Sequence, residues 1–333
     1  MHHYYLHGLI VASETALSAA PCIDTCPTIA QIKLMPWQID SDRFSELAST
    51  VIHAEKTLIH RDFLSEAGTV ATTIRTVIAE QGWRTLFFDK VLYHWDATSG
   101  VLQRWVGQLE DLALGDALQS GSYWATLCTL LGRFPIHGSA VDLPDEGGTW
   151  LVVARSGHGK TSTAASLVLA GAKLRSDDVV TLSTSSDGQW LCEAGSLTLR
   201  MRKPLITAAL AAERISSMPT LSGDGRTLYS CSTDIPHTAG LRGICFVVLD
   251  DQIEALHVSS MSRLDSFKAL ANDPRVVGVQ NRNYHTQRVH HLSQICQRIP
   301  MFELRLPFSN RNLAQQGAEI LTHLQKLGCE TST

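Results

Sequence analysis

The sequence predicts an α/β protein built from two lobes, and three observations support this. Short segments rich in β-branched and aromatic residues fill residues 1–130, which is typical of antiparallel sheet. A continuous apolar strand, a glycine-rich turn and a helix then follow one another between residues 149 and 171, the order of an α/β unit. An amphipathic helix lies at the C-terminal end. We therefore expect a mainly antiparallel β lobe at 1–130 and an α/β domain at 131–333.

Length and composition limit the classes of protein to which this chain can belong. A single core usually stops growing near 250 to 300 residues, so a chain of 333 residues favours two lobes. Hydrophobic residues make up 44% and charged residues 18%, as in an ordinary folded protein. The formal net charge of -4 gives no broad attraction to nucleic acid or to an anionic membrane. We therefore expect neither as a partner.

Three features favour a soluble protein of the cytoplasm. The eight cysteines form no C-x-x-C pair, which indicates free thiols in a reducing compartment. No Lys or Arg precedes the first apolar stretch and Glu14 interrupts it, so that stretch does not have the pattern of a secretory signal. No apolar run reaches the 18 residues that a membrane span needs.

In the first lobe, the pattern is mostly extended up to about residue 125. We predict a strand from Tyr4 to Ala12 and further strands in "IAQIKLMPW", "TVATTIRTVIA", "WRTLFFD", "VLYHWD" and "VLQRWV", with "ATSG" as the turn between the last two. "DALQSGSYWATLCTLLGRF" carries apolar residues at three- and four-residue spacings. This predicts a helix that leads into the second lobe.

In the second lobe, the predicted strands are "IHGSAVDL", "TWLVVA", "GICFVVLD" and "FELRLPF". The third is apolar throughout, as in strands buried on both faces. A helix begins near Thr161 and ends near Gly171, and "NLAQQGAEILTHLQKL" forms the amphipathic C-terminal helix.

The stretch "VVARSGHGKTSTAA" predicts a P-loop. Its glycines let backbone N–H groups converge on phosphate oxygens, its lysine reaches the β- and γ-phosphates, and its threonine hydroxyl binds Mg²⁺. Ala154 takes the place of the first glycine of the usual pattern. The cofactors expected are ATP and Mg²⁺. The residues expected to hold the nucleotide are Arg155, Ser156, Gly157, His158, Gly159, Lys160, Thr161 and Ser162.

Two adjacent acids, Asp177 and Asp178, follow a short strand after the P-loop helix. In an open α/β sheet, ligands gather at the carboxyl ends of strands. One acid can hold Mg²⁺ and the other can accept the proton of an attacking hydroxyl. The metal ligands predicted are Thr161 and one acid of this pair.

The part of the chain around the P-loop resembles the HPr kinase/phosphorylases and their kinase-like relatives. The resemblance rests on "IHGSAVD", the P-loop and "GAKLRSDDVVTL". It implies an HPr kinase-like core in which His137, Lys160, Asp177 and Asp178 are catalytic. In the family one acid of the pair deprotonates a serine hydroxyl. Asp178 falls on that position, which leaves Asp177 nearer the metal.

The opening "YYLHGLIVASE" resembles the kinase-like proteins that tailor ribosomally made lasso peptides. The resemblance implies a peptide substrate that bears a serine or threonine. The alternatives are a kinase that acts on a small metabolite or on a protein serine, and a non-catalytic nucleotide sensor. The protein could also form a homo-oligomer.

Four further residues are weaker candidates. Glu193 could supply a second carboxylate to Mg²⁺. Arg200, Arg202 and Lys203 could meet an acidic substrate. We nevertheless favour surface charge for all four residues.

Overall fold

The computed structural model describes residues 1–17, 19–22, 31–65, 69–201, 220–221, 226–231, 234–307 and 313–330. Within these ranges the protein is a mixed α/β structure with a nine-stranded sheet, an eight-stranded sheet and a small three-stranded sheet. Arg202 and Lys203 lie outside the described residues. In the described part of the chain, no helix combines the length and the apolar character that a bilayer crossing requires.

The nine-stranded sheet has the strand order β3-β1-β2-β4-β9-β8-β7-β6-β5. Only the pairs β2–β4 and β4–β9 are parallel, so this sheet is mainly antiparallel. Its strands are β1 (His2–Leu6), β2 (Leu9–Ser13), β3 (Ala20–Pro21), β4 (Ile32–Ile39), β5 (Ile59–Leu64), β6 (Val70–Ala79), β7 (Gly82–Phe87), β8 (Val91–Asp96) and β9 (Val101–Val106).

The predicted strand from Tyr4 to Ala12 is wrong as a single strand, because the chain reverses within it. His7 and Gly8 adopt φ angles of 55° and 78°, and β1 pairs back on β2 with Leu6 opposite Leu9. Two residues with positive φ form the tight turn that suits a twisted hairpin.

The prediction also missed a helix, α1 (Ser41–Ile52). The side chain of Asp40 caps its N-terminus by accepting a hydrogen bond from the Arg43 backbone N–H at 2.9 Å. Phe44, Leu47 and Val51 pack against one face of the sheet. Residues 109–130 pack against the opposite face.

Residues 109–130 form a nearly continuous helical segment that leads into the second lobe, as predicted. It consists of a 3₁₀ turn (Leu109–Asp111), α2 (Leu112–Leu118), a π-helical turn (Gln119–Tyr123) and α3 (Trp124–Leu130). A π-helical turn within a helix is rare and is frequent at functional sites.

The eight-stranded sheet is the core of the second lobe. β12, β10, β11, β18, β14 and β13 follow one another in it, and β20 and β19 extend it beside β18. The pairs β11–β18 and β18–β20 are parallel. The strands are β10 (Ser139–Asp142), β11 (Thr149–Val153), β12 (Lys173–Ser176), β13 (Leu182–Thr184), β14 (Trp190–Glu193), β18 (Thr238–Asp250), β19 (His257–Ser260) and β20 (Met301–Pro307).

Helices cover both faces of this sheet. Side chains of α4 (Lys160–Leu169) and α7 (Leu313–Glu330) pack on the face that includes Trp150 and Val152. Side chains of α5 (Arg263–Asn272) and α6 (Arg282–Arg298) pack on the face that includes Leu151 and Val153. The three-stranded sheet contains β15 (Thr198–Met201), β17 (Thr227–Ser230) and β16 (Thr220–Leu221) in that order.

Candidate active site

The predicted P-loop lies between a strand end and a helix start. β11 ends at Val153 and α4 begins at Lys160, and we call residues 154–161 the cradle. Gly157 and Gly159 adopt φ angles of 80° and 90°, which other residues rarely tolerate. The first N–H groups of a helix have no intrahelical partner and favour anions. The cradle therefore has the backbone geometry of a phosphate site.

Lys160 is folded against the protein rather than extended into solvent. Its side chain is only 9% exposed, and its ammonium donates to the backbone oxygen of Ala154 at 2.7 Å. It also donates to Asp273 at 3.3 Å. Burial lowers the pKa of Lys160, against the opposing effect of Asp273.

Thr161 and Asp177 face each other as the predicted metal ligands. The Thr161 hydroxyl lies 3.1 Å and 3.2 Å from the two carboxylate oxygens of Asp177. The Ser139 hydroxyl donates to the same carboxylate at 2.6 Å, and the Arg200 backbone N–H donates to it at 3.2 Å. Burial raises the pKa of Asp177, against these hydrogen bonds.

This oxygen set fits Mg²⁺, which prefers hard oxygen ligands and usually takes one or two carboxylates together with phosphates. Among the described residues, no group of three or more His, Cys, Asp and Glu side chains could hold a metal ion. Thr161 and Asp177 are the residues of this set that could hold such an ion.

Asp178 lies among two arginine side chains and one histidine side chain. Arg275 donates to its carboxylate at 2.6 Å and to its backbone oxygen at 3.1 Å. Arg200 lies 3.6 Å away and His137 lies 3.4 Å away. Although burial raises the pKa of Asp178, Arg275 and His137 hold it well below its usual range. Asp178 is therefore ionised at neutral pH.

The backbone at Asp178 is unusual, with a φ angle of 70°. Such left-handed conformations cost energy in residues other than glycine and cluster at functional sites. The turn points the two adjacent acids at different partners, Asp177 at Thr161 and Asp178 at Arg275 and His137.

His137 lies between two carboxylates, just before β10. Its Nδ1 atom is 3.0 Å from Asp273 and its Nε2 atom is 3.4 Å from Asp178. Burial lowers the pKa of His137, but the two carboxylates outweigh burial and raise it above its usual value. A small cavity of about 10 Å³ lies beside His137, Asp273 and Ala154, which is room for about one water molecule.

The structure brings five of the predicted residues together: His137, Lys160, Thr161, Asp177 and Asp178. Arg155, Ser156, Gly157 and His158 are exposed on the cradle, while Gly159 and Ser162 are half-buried. Glu193 is buried, so surface charge is the wrong interpretation for it, and its carboxylate accepts a hydrogen bond from the Tyr5 hydroxyl at 2.5 Å.

Surface charge was the wrong interpretation for Arg200, whose side chain is 9% exposed and faces Asp178.

The sequence argument missed Asp273 and Arg275. Asp273 caps the C-terminus of α5 and lies 113 positions after Lys160 in the chain. Arg275 lies 97 positions after Asp178 and also donates to the Ser122 hydroxyl at 3.2 Å. The stretch "NDPR" carries only the signal of a helix end, since proline rarely continues a helix. Nothing local in the sequence places it against the cradle.

Comparisons with known proteins add little to this geometry. No protein-family model matches the chain, and no curated protein matches it. Among solved structures, one that is similar is the Hpr(Ser) kinase/phosphatase from Coxiella burnetii, with 16% sequence identity. The match covers 59% of this chain and 98% of that one, with a TM-score of 0.30. That score is too low to assign a fold or a function, so the roles of the residues rest on the contacts described above.

Proposed function

We propose that this protein is an ATP-dependent phosphotransferase that moves the γ-phosphoryl group to a serine or threonine hydroxyl. The observation that carries the proposal is the placement of Lys160 and Thr161 at the N-terminus of α4, with Asp177 against Thr161 and Asp178 beyond it. A phosphate cradle, a metal carboxylate and a second ionised carboxylate are the parts that phosphoryl transfer to a hydroxyl needs.

The chain's own residues divide the work. Lys160 would leave Ala154 and Asp273 to contact the β- and γ-phosphates, and the N–H groups of the cradle would hold the remaining phosphate oxygens. Thr161 and Asp177 would hold Mg²⁺, which neutralises phosphate charge when bound.

In the transfer step, the acceptor hydroxyl oxygen forms a bond to the γ-phosphorus while the bond from that phosphorus to the bridging oxygen of ADP breaks. The hydroxyl proton passes to the carboxylate of Asp178. A carboxylate with a low pKa is a weak base, so its main contribution is to orient the hydroxyl and to accept the proton late in the reaction. His137, beside Asp178, would place positive charge near the transferred group.

For the acceptor, we propose a ribosomally made precursor peptide of the lasso type. The support is the resemblance carried by "YYLHGLIVASE", which forms the β1–β2 hairpin. The turn of that hairpin contacts the second lobe, since the His7 backbone N–H donates to the Ala194 oxygen at 2.7 Å.

The test is intact-mass measurement of candidate acceptors after incubation with ATP and Mg²⁺. We expect a serine-bearing peptide to gain one phosphoryl group with the wild-type protein and none with Lys160→Ala. Phosphorylation of a sugar or another metabolite and of no peptide would show that the acceptor is wrong. The absence of ATP binding in the wild-type protein would contradict the phosphotransferase itself.

A further inference from the structure

Asp273 contacts two of the proposed catalytic side chains at once. A single oxygen, Oδ2, lies 3.3 Å from the ammonium of Lys160 and 3.0 Å from Nδ1 of His137. Its side chain is 31% exposed, so it lies at the mouth of the site. The cations hold its pKa below the usual value although burial raises it, and it is therefore ionised at neutral pH.

The backbone fixes Asp273 in this place. α5 ends at Asn272, and Pro274 cannot continue the helix. Pro274 instead bridges to Ile136, the residue before His137. Asp273 precedes Pro274 and His137 follows Ile136, so the bridge between Pro274 and Ile136 keeps the side chains of Asp273 and His137 close together.

We propose that Asp273 is a positioning residue that competes with the phosphates of ATP for Lys160 and orients His137 toward Asp178. The proposal rests on the proposed function. The residue acts through Lys160 and His137 and does not touch the reacting atoms.

The competition with ATP follows from charge. Lys160 has three N–H donors, one of which goes to the Ala154 oxygen and another to Asp273. A phosphate oxygen that approaches Lys160 meets the carboxylate of Asp273, and like charges at a few ångströms repel in a partly buried site. Removal of this charge should therefore tighten ATP binding.

The effect on His137 has the opposite consequence for turnover. A carboxylate on Nδ1 holds the imidazole ring in one orientation and one protonation pattern, which leaves Nε2 directed at Asp178. Without that contact the ring can rotate. Turnover should fall even though ATP binds more tightly.

The test is Asp273→Asn, an isosteric change that removes the charge. We expect the dissociation constant for ATP, measured by calorimetry, to fall roughly 2- to 5-fold, since a partly exposed ion pair contributes up to about 1 kcal/mol. We expect kcat to fall roughly 10- to 100-fold, part of the contribution of a positioned acid–base group. A merely structural role would weaken both.

Asp265→Asn is the matched control, because Asp265 lies on the same helix and its partners among the described residues are exposed Lys268 and the capping Ser262. We expect it to leave both constants within about twofold. Asp273→Glu, which restores the charge, should recover part of kcat.

Two double variants test through which residue Asp273 acts. In a His137→Gln background, Asp273→Asn should lower kcat little further but should still tighten ATP binding, because the two effects run through different partners. In a Lys160→Ala background, the gain in ATP affinity should become smaller, because the competition for Lys160 is gone and only the repulsion between Asp273 and the phosphates remains.

Some outcomes overturn this inference alone. The first is that the wild-type protein binds ATP and transfers phosphate but Asp273→Asn changes neither the dissociation constant nor kcat. The second is that Asp273→Asn binds ATP more weakly while its melting temperature is unchanged. A wild-type protein that does not bind ATP overturns the proposed function as well.

Discussion

The cradle and the stretch from Asp273 to Gln280 both contribute to the site around Asp177 and Asp178, but they reach it in different ways. The cradle lies within about twenty residues of the two acids, and one strand–turn–helix–strand unit brings them together. The stretch from Asp273 to Gln280, which we call the remote segment, reaches the site only through tertiary packing. The first region has a recognisable sequence pattern and the second has none.

The remote segment also connects the two lobes. The His60 backbone N–H donates to the Gly278 oxygen at 2.9 Å, and the Gln280 N–H donates to the Leu58 oxygen at 2.8 Å. Val279 bridges to Ile59 at the edge of the nine-stranded sheet. Arg275 in the same segment contacts Ser122 of the first lobe and Asp178 of the second. The remote segment therefore lies against both the nine-stranded sheet and the site around Asp178, and on the proposed function it holds the cradle against that sheet.

The largest effect should come from the cradle side of the comparison. Asp178→Asn removes the carboxylate that we propose orients the hydroxyl and accepts its proton late in the reaction. Because a carboxylate with a low pKa is a weak base, we place its effect on the rate at about 10²-fold, the lower end of general-base help. We expect turnover to fall by that order while ATP affinity stays within about threefold, because Lys160 and Thr161 are untouched. Steady-state kinetics together with calorimetry measure both. Equal losses of affinity and turnover would instead indicate a structural role for Asp178.

The next effect tests the remote segment. Arg275→Ala removes the ion pair between Arg275 and Asp178. The side chains of these two residues are 13% and 16% exposed. We expect the free energy of unfolding to fall by about 2 to 3 kcal/mol, the contribution of a hydrogen bond to a charged group. Urea denaturation measures it. Exposed Arg43, which pairs with exposed Glu46, gives the control variant Arg43→Ala, with an expected loss below about 1 kcal/mol. A similar loss in both variants would remove the special role of Arg275.

A smaller effect should follow from loosening the connection between the lobes. Gly278 has a φ angle of 84°, and a Cβ atom there would collide with the backbone oxygen of His60. Gly278→Ala should therefore cost about 1 to 2 kcal/mol of stability. Gly240→Ala is the control, because nothing lies within 4 Å of an added Cβ atom and the backbone needs no positive φ. If the two variants melt at the same temperature, the remote segment is not held as described.

The smallest effect concerns His137, where the two regions meet. Its pKa is raised above the usual value by Asp178 and Asp273, despite burial. A raised pKa in the folded state stabilises the protein below the unfolded-state pKa of about 6.5, and this contribution is lost as pH rises through the folded-state pKa. Asp178 and Asp273 remain ionised throughout.

The measurement compares the wild-type protein with His137→Gln by urea denaturation at about pH 5.5 and about pH 9. The wild-type advantage in unfolding free energy should be larger at the lower pH. An advantage that is constant or grows with pH would contradict the proposed pairing of His137.

The difference between the regions also explains what the sequence could predict. Lys160, Thr161 and the two acids have local signals, because glycines that need positive φ and a strand before a helix are visible in the residues. Strands such as "VLYHWD" and "GICFVVLD" have clear periodicity. Asp273 and Arg275 have no such signal, because the contact that gives each its role is with a residue about a hundred positions away.

Two errors in the first lobe have local causes. The spacing of Phe44, Leu47 and Val51 is helical, but α1 lies between extended segments, and the prediction missed its helical pattern. The hairpin at His7 and Gly8 interrupts a run of strand-forming residues, and histidine rarely adopts the positive φ that the turn requires. In both places, packing on the sheet determines the local structure, because the sequence pattern alone does not.

The most direct test of the central claim is a calorimetric titration of ATP and Mg²⁺ into the wild-type protein and into Lys160→Ala, with the Asp265→Asn variant as a control for charge. The account predicts that the wild-type protein and Asp265→Asn bind ATP with the same affinity and that Lys160→Ala loses most of it, because the cation nearest the β- and γ-phosphates is gone. Unchanged binding in Lys160→Ala would contradict the placement of the nucleotide in the cradle.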